Sequence, residues 1–412
     1  MKTVSFSQNV PVVGKYDVLI AGGGVAGVAA ALTVCREGKK VLLIEKSNIL
    51  GGLATLGRVN YFEPMCNGCG RQIIKGMANE LLQLALKYGY DTLHPEWKNG
   101  EPKEPTRLHY NTLFSPYIFA LCLTEALKNE GADILFDTVV TAPIMDGKII
   151  RGVIVDNKSG LQCYEAKQFI DVTGDGDLLV RCGIPTVQGE NYFSFFGTKI
   201  TLDSCKAAVE QQNIRAAYTG VAGGIAALTG KGHPEGMPTF PGTTAENIND
   251  FIIQNQLVML DRLKGDDRMS RDVAAIPLMP QLRTTRHIDG MHTLTTDDLF
   301  CHFADSIGVM GDPQNRGHLY EIPFGTICHP DAPNLLTAGR SAAAEGHGWY
   351  LLRIIPPAIV TGQAAGFAAC QALAGDRAVY EPDIPALQQS ILSAGNIVHF
   401  EDSWKKDIEK IQ

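Results

Sequence analysis

The chain has 412 residues, of which 45% are hydrophobic and 19% are charged, as expected for a globular protein with about two structural units. A net charge of −8 and the lack of a basic run argue against a nucleic-acid partner, because phosphate contacts need clustered Lys and Arg. The first residues lack the apolar stretch of a secretory signal, and no segment approaches about 18 apolar residues. The sequence therefore predicts a cytoplasmic protein with no membrane partner.

The first predicted unit is a strand, a glycine-rich turn and a helix in the segment YDVLIAGGGVAGVAAALTVCR. A short buried strand, 18–20, leads into Gly22, Gly24 and Gly27, which have the G-x-G-x-x-G spacing at the start of the helix. The first glycine permits the tight turn, the second lets a pyrophosphate approach the backbone, and the third lets the helix pack on the strand. The helix N-terminus would face the phosphate charge.

A second parallel strand, 41–44, ends at Glu45, where an acid can accept hydrogen bonds from both ribose hydroxyls. This unit therefore predicts binding of the adenosine diphosphate half of a dinucleotide. The fingerprint alone leaves NAD and FAD open, because both cofactors share that half. The next segment, KSNILGGLAT, brings Gly51 and Gly52, which suit a chain passing closely over the rest of a long cofactor.

The segment MCNGCG contains Cys66 and Cys69, the one close pair among ten cysteines. A zinc or iron–sulfur site needs about four ligands, and no second C-x-x-C or H-x-x-x-H follows at a usual spacing. No metal site is therefore predicted. We favour a glycine-rich loop with reduced thiols, and a redox-active dithiol stays open as the alternative.

Residues 131–160 read as alternating strands with turns near Gly147 and Gly160, an arrangement that commonly delivers backbone groups to the adenine. A buried strand, 169–172, follows and ends in the segment TGDGD. After residue 201 the pattern changes to helices and irregular loops, including a helix with Thr243 and Glu246 as a predicted capping box.

The glycine-rich segment 220–230 has no preceding strand and lacks the fingerprint spacing, so we interpret it as a loop or a helix hinge. No second dinucleotide fingerprint occurs in the sequence. Electrons are therefore not expected to come from NAD(P)H bound in a domain of its own, and the electron acceptor is left unknown.

Two later segments contain candidate catalytic side chains. PQLRTTRHIDG provides Arg283, Arg286 and His287, which form either a solvated strand or an anion pocket. GRSAAAEGHGWYLLRIIPP lies between a strand, 334–338, and a small-residue helix that begins near residue 356. It provides His347, whose pKa can lie near neutrality and suits proton transfer, or which only packs on Trp349.

The motifs GGGVAG, LGGLAT, DVTGDGD, PQLRTTRHIDG, NLLTAGR and LRIIPPAIVTGQAAG together resemble the FAD-dependent oxidoreductases of the fumarate reductase and glutathione reductase superfamily, which are two-dinucleotide-binding-domain flavoproteins. The chain is most similar to the bacterial branch named simply FAD-dependent oxidoreductases. The resemblance spans about residues 16–373. It implies an α/β fold in which a discontinuous, Rossmann-like FAD-binding domain of the glutathione reductase type occupies residues 14–200 and 325–376. An α+β substrate or cap domain, 201–324, would be inserted, and a helical tail, 377–412, would follow.

With the residues above, the resemblance implies an FAD site formed by Gly22, Gly24, Gly27, Glu45, Lys46, Gly52, Leu53, Ala54, Val139, Thr173, Gly174, Asp175, Gly339, Arg340 and Gly362. The predicted activity is hydride transfer between a small polar or anionic metabolite and flavin N5, with His347, Arg286, Arg353 and His287 as catalytic residues. The alternatives are a dithiol-linked flavin reductase and an electron-transfer subunit of a larger complex. A homo-oligomer is also left open. If that pocket is misplaced, Tyr61, Glu63 and the MCNGCG loop are the next candidates.

Overall fold

The computed structural model describes residues 3–222, 224 and 229–411. Its strands, in chain order, are β1 Val12–Ala21, β2 Val41–Ile44, β3 Tyr61–Phe62, β4 Thr112–Leu113, β5 Asp133–Leu135, β6 Val139–Asp146, β7 Ile149–Asn157, β8 Gly160–Asp171, β9 Thr186–Gln188, β10 Phe196–Thr201, β11 Thr219–Ala222, β12 Arg271–Ala275, β13 Arg286–Ile288, β14 Ser306–Gly311, β15 Leu319–Pro323 and β16 Leu335–Thr337.

The α-helices are α1 Val25–Arg36, α2 Gly76–Leu86, α3 Pro116–Asn129, α4 Asp177–Arg181, α5 Leu202–Glu210, α6 Ala245–Lys264, α7 Gly346–Leu352, α8 Ile355–Gly375 and α9 Ile384–Ser393. Short 3₁₀ segments are found at Gly52–Ala54, Pro95–Trp97, Ile214–Ala217, Thr296–Asp298, Phe324–Ile327, Gly339–Ser341 and Asp402–Ile411.

The main sheet has seven strands in the order β5-β2-β1-β8-β7-β6, with β16 paired to the end of β8. The pairs β1–β2, β1–β8, β2–β5 and β8–β16 are parallel, whereas β6, β7 and β8 form antiparallel pairs. The molecule therefore has a mixed α/β fold with a parallel-strand sheet. Because β16 comes after the predicted insertion and still joins this sheet, the sheet is built from distant parts of the chain. The glutathione reductase type and the domain limits stay predictions.

Helices α1 and α8 pack together on this sheet through small residues. A Cβ atom on Gly362 of α8 would lie 2.2 Å from the carbonyl oxygen of Ala26 in α1. One turn later, a Cβ atom on Gly366 would lie 2.9 Å from the carbonyl oxygen of Ala30. The small-residue pattern thus allows the two helix backbones to approach closely. As a result the N-terminus of α8 lies beside the end of the first strand.

The region after residue 190 contains a second, three-stranded sheet of order β11-β10-β12, on which α6 packs through Met259 and Leu263. The predicted capping box of α6 is wrong by one residue. Thr244 is the N-cap and accepts a hydrogen bond from the amide of Asn247, whereas Thr243 donates its hydroxyl to Gln188. The interpretation of 220–230 as a loop or hinge lies partly outside the described residues, and its first residues belong to β11.

The segment after α9 packs back on the MCNGCG turn. Asp407 of the last 3₁₀ segment accepts hydrogen bonds from Arg71 at 2.6 Å and from the side-chain amide Nδ2 of Asn67 at 2.9 Å. Lys410 donates to the other oxygen of the same carboxylate at 2.6 Å. The end of the described chain is therefore held by charged contacts as well as by packing.

Within the described residues, no single helix is both long and apolar enough to cross a membrane. Helices α7 and α8 meet that requirement of length and composition as a pair, with a bend of 75° between them. Most residues of α8 are buried in the fold.

Candidate active site

A deep cleft opens where β1, β2 and β8 end, and it encloses about 1440 Å³ including its open mouth. The cavity volume without this open space is about 330 Å³, at the lower end of the roughly 300–1,000 Å³ of small-molecule and cofactor sites. Twelve of the predicted cofactor residues line it: Gly22, Gly24, Glu45, Lys46, Gly52, Leu53, Ala54, Val139, Thr173, Gly174, Gly339 and Arg340.

The three fingerprint glycines have different surroundings. Gly22 has a φ of 115°, which side chains other than glycine rarely adopt, and a Cβ atom on Gly27 would lie 2.1 Å from the carbonyl oxygen of Gly22. Both glycines are required by the turn itself. A Cβ atom on Gly24 would meet no protein atom within 4 Å, because that position faces the cleft at the start of α1. The open side of Gly24 is where a pyrophosphate would approach the helix N-terminus.

The carboxylate of Glu45 is held in place by two backbone amides. Its Oε2 atom accepts a hydrogen bond from Gly23 at 2.6 Å, and its Oε1 atom accepts one from Ser47 at 2.8 Å. Each carboxylate oxygen has a second lone pair, so both can still accept a hydroxyl of a ribose in the cleft. The residues present therefore fit a bound dinucleotide.

Three predicted cofactor residues lie outside the cleft lining. Gly27 and Gly362 serve the packing of α1 against its neighbours, as their close Cβ contacts show. Asp175 forms an ion pair with Arg340 at 3.0 Å and accepts the hydroxyl of Thr285 at 2.7 Å. This ion pair fixes the Arg340 side chain against Gly174 at the cleft wall.

The N-terminus of α8 forms the far end of the cleft. Ile355 and Ala358 line the cleft there, and prolines occupy the first turn of the helix. The amide of Ile355 donates a hydrogen bond to Oε2 of Glu63 at 3.2 Å. The positive end of the helix dipole makes this end of the cleft favourable for negative charge.

Three arginines and one glutamate meet beside the α8 N-terminus. Burial, together with the charges of Arg353 and Arg340, lowers the pKa of Arg283 to about 9. Burial likewise lowers the pKa of Arg353 to about 10, and its Nε atom is buried without a hydrogen-bond partner. Both groups stay charged at neutral pH. Within the described chain, neither guanidinium has a carboxylate within 4.0 Å, so neither forms an ion pair with an acid.

Glu63 is the acid whose charge acts on both Arg283 and Arg353. Burial raises its pKa to about 7, although the amide of Ile355 and the charges of Arg353 and Arg283 favour its ionised form. Tyr61 and Tyr350 lie near it, and burial raises the pKa of both phenols. A carboxyl group whose pKa is near neutrality can both accept and donate a proton at physiological pH.

The two candidate histidines have partners of their own. Nε2 of His347 lies 2.7 Å from Oδ2 of Asp312, and its ring stacks on Tyr350. His287 is buried and packs edge-on against Trp349, with 4.6 Å between ring centroids. Burial lowers the pKa of His287, which favours its neutral form. Thus His287, rather than His347, makes the contact with the tryptophan.

The four predicted catalytic residues are not all brought together. Arg353 lines the cleft, but Arg286, His287 and His347 do not. The Arg286 guanidinium turns toward the TGDGD segment, where it donates to the carbonyl oxygen of Asp175 at 3.1 Å and lies 3.7 Å from Asp177. Arg283 and Glu63 are not part of the cleft lining either, but each interacts electrostatically with Arg353.

The MCNGCG segment forms a tight turn around Asn67. The Oδ1 atom of Asn67 accepts hydrogen bonds from the amides of Cys69 and Arg71, and Cys66 Sγ accepts one from the amide of Tyr110 at 3.2 Å. Burial raises the pKa of the Cys66 thiol, and it raises that of Cys69 to about 11. Neither thiol is joined in a disulfide in this structure. These surroundings favour a loop with protonated thiols over thiolate chemistry.

Two curated relatives match part of the chain. The protein FixC of Salmonella typhimurium (strain LT2) is 28% identical over 206 residues, which cover 48% of this chain and 45% of FixC. The digeranylgeranylglycerophospholipid reductase of Methanospirillum hungatei is 28% identical over 182 residues, 42% of each chain. The chain thus spans less than half the length of the curated relatives it matches.

A solved structure and a family profile cover more of the chain. A geranylgeranyl bacteriochlorophyll reductase-like protein from Thermoplasma acidophilum has a TM-score of 0.47 and 15% identity over 97% of this chain and 87% of its own. The profile of FAD dependent oxidoreductases matches residues 17–225 and 233–391. This match agrees with the fit of the cleft to a dinucleotide and identifies the cofactor as FAD. The chain therefore belongs to the FAD dependent oxidoreductase family.

Proposed function

We propose that the protein exchanges a hydride between a small anionic metabolite and N5 of FAD, at the end of the cleft where Arg283, Arg353 and Glu63 meet. The observation that carries this proposal is the pair of guanidinium groups without a carboxylate partner in the described chain. A buried, unpaired guanidinium is costly, and an anionic substrate would compensate its charge.

The residues have separate roles in this proposal. The guanidinium groups of Arg283 and Arg353 bind the substrate carboxylate, and the aromatic ring of Tyr350 supports Arg353 from 5.2 Å. Bound FAD supplies the two-electron redox chemistry. When an alcohol or amine is oxidised, its hydroxyl or amine proton must leave, and we assign that proton to the Glu63 carboxylate. In the reverse direction the protonated Glu63 returns it.

The positive end of the α8 dipole completes the proposed site. It presents partial positive charge at the end of the cleft, which would favour negative charge on a bound flavin. The electrons then pass to a separate acceptor, since the sequence holds no second dinucleotide fingerprint. An assay with purified protein and a soluble acceptor, without a protein partner, tests whether the chain works as an enzyme or as an electron-transfer subunit.

The Arg353→Ala variant tests the substrate pocket. Losing a charge-assisted hydrogen bond costs about 1.5–3 kcal/mol, so we expect the substrate Kd to rise roughly tenfold to a hundredfold. The measurement is anaerobic bleaching of the bound flavin by a panel of hydroxy acids, amino acids and their neutral amides. Arg151→Ala, which removes an exposed arginine paired with Asp146, is the matched control. Equal bleaching by acids and amides would argue against an anion pocket.

A double Cys66→Ser, Cys69→Ser variant tests the dithiol alternative. We expect it to keep FAD and to be reduced by substrate within about twofold of the wild-type rate, because buried protonated thiols are poor nucleophiles. Flavin content and anaerobic stopped-flow reduction measure both properties. A large loss of rate with full flavin content would instead support the dithiol-linked reductase.

A further inference from the structure

A second cluster of ionisable side chains lies away from the cleft, around Glu321 of β15. This carboxylate is fully buried. Its Oε1 atom lies 2.7 Å from Nδ1 of His302, and its Oε2 atom lies 3.0 Å from Nδ1 of His399. The amide of Phe303 also donates to Oε2 at 2.8 Å and fixes the orientation of the carboxylate. Two imidazoles thus approach one carboxylate with the same ring nitrogen.

In a neutral His302, the protonation state of Nε2, which faces Asp402, determines that of Nδ1, which faces Glu321. In the tautomer with the proton on Nε2, His302 donates to Oδ1 of Asp402, which lies 3.3 Å away. A neutral His302 then directs the Nδ1 lone pair at the Glu321 carboxylate, which is repulsive unless positive charge lies between them. Either a second proton or a metal ion can supply that charge. In proteins, an imidazole that donates its other N–H to a carboxylate is the usual arrangement of a metal-bound histidine.

We propose that His302, Glu321 and His399 form a zinc site. The three ligand atoms lie within 4.8 Å of one another. Zinc bonds of about 2.0–2.1 Å in a tetrahedron would place them roughly 3.3 Å apart, so small side-chain shifts suffice. The two imidazole rings are 42% and 45% exposed, which gives an ion access and leaves room for a water ligand. Two imidazoles favour zinc over Mg²⁺ and Ca²⁺, which prefer oxygen ligands.

The ligands connect separate parts of the chain. His302 precedes β14, Glu321 lies in β15, and His399 belongs to the segment after α9. A zinc ion would therefore fasten the C-terminal segment to the β14–β15 hairpin. Its function is structural, because the site lies outside the residues that line the cleft. An ion that binds the folded chain and not the unfolded one raises the stability of the fold.

Zinc binding can be measured on tag-free protein that has been treated with a chelator and desalted. We expect one zinc ion per chain with a Kd of about 1 μM or tighter, detected by competition with a chromophoric chelator and by elemental analysis. Zinc should raise the melting temperature by several degrees, and Mg²⁺ should not compete. Failure to bind zinc at this level would overturn the proposal, and the triad would then be held by protons alone.

Two variants locate the ion. His399→Gln removes an exposed ligand with little effect on folding, and it should abolish stoichiometric zinc binding and the thermal shift. His292→Gln is the matched control, since His292 lies 3.2 Å from Asp298 and outside the cluster. Zinc binding by His399→Gln equal to that of the wild type would contradict the proposed ligands. Because neither histidine lies in the FAD cleft, flavin content should stay unchanged in both variants, which separates this test from that of the proposed function.

Discussion

Replacing Gly24 by glutamate is expected to remove most of the bound FAD while the chain stays folded. Gly24 has φ −65° and ψ 176°, which any residue can adopt, and a side chain there would enter the cleft without meeting protein atoms. Its carboxylate would occupy the N-terminus of α1, where the pyrophosphate is expected to lie, and would repel that charge. Flavin absorbance per chain after purification measures the loss, and circular dichroism checks the fold.

Gly27→Ala is the matched control for this prediction. Its added methyl group would lie 2.1 Å from the carbonyl oxygen of Gly22, so the strand–turn–helix unit itself must move. We expect Gly27→Ala to lower the melting temperature of the FAD-free protein, whereas Gly24→Glu should leave it nearly unchanged. A Gly24→Glu variant that retains a full complement of flavin would refute the assignment of the pyrophosphate to this helix end.

The local elements of the dinucleotide unit could be predicted because their signals are local. Strand 41–44 agrees with β2 residue for residue, and α8 begins one residue before the predicted proline. Buried apolar runs and glycine spacing predict these elements from local sequence alone, without information on long-range contacts. The helix cap at residue 243 was wrong because two adjacent threonines offer the same chemistry. Backbone geometry, and not composition, selects Thr244.

The side chains that come together at the proposed substrate pocket could not be predicted in the same way. Arg283 and Arg286 lie in the same short motif, yet they have different surroundings. Asn191 holds the backbone at 283 and 284, the Arg283 side chain is buried, and the Arg286 guanidinium donates to the carbonyl oxygen of Asp175 in the TGDGD segment. The partner of His347 is Asp312, 35 positions away. Contacts between residues this far apart in the sequence cannot be predicted from the spacing of motifs.

Glu63 and the zinc ligands illustrate the same limit. Glu63 was predicted only as a reserve candidate, because it is an isolated acid between an aromatic residue and a proline with no motif around it. The three proposed zinc ligands are spread from His302 to His399, so a search for closely spaced Cys and His does not find them. In both sites the tertiary structure, rather than the sequence spacing, brings the groups together.

Replacing Glu63 by glutamine is expected to slow the reduction of FAD by substrate by about 10²–10⁴-fold, the usual contribution of a general base. Glutamine keeps the shape of the side chain and can still accept the hydrogen bond from the amide of Ile355. It removes a negative charge beside Arg283 and Arg353, so binding of an anionic substrate should not weaken. The rate constant should therefore fall while the substrate Kd stays the same or decreases.

The raised pKa of Glu63 also predicts how the rate of flavin reduction changes with pH. Burial raises the pKa of Glu63 to about 7, so the carboxylate that accepts the substrate proton is scarce below pH 7 and predominates above it. The rate of flavin reduction by a hydroxy or amino acid should rise through about pH 7 in the wild type, and this inflection should disappear in Glu63→Gln. Glu345→Gln, which changes an exposed acid in the neighbouring segment, should keep both the rate and the inflection. A Glu63→Gln variant with the wild-type rate and pH profile would exclude Glu63 as the base.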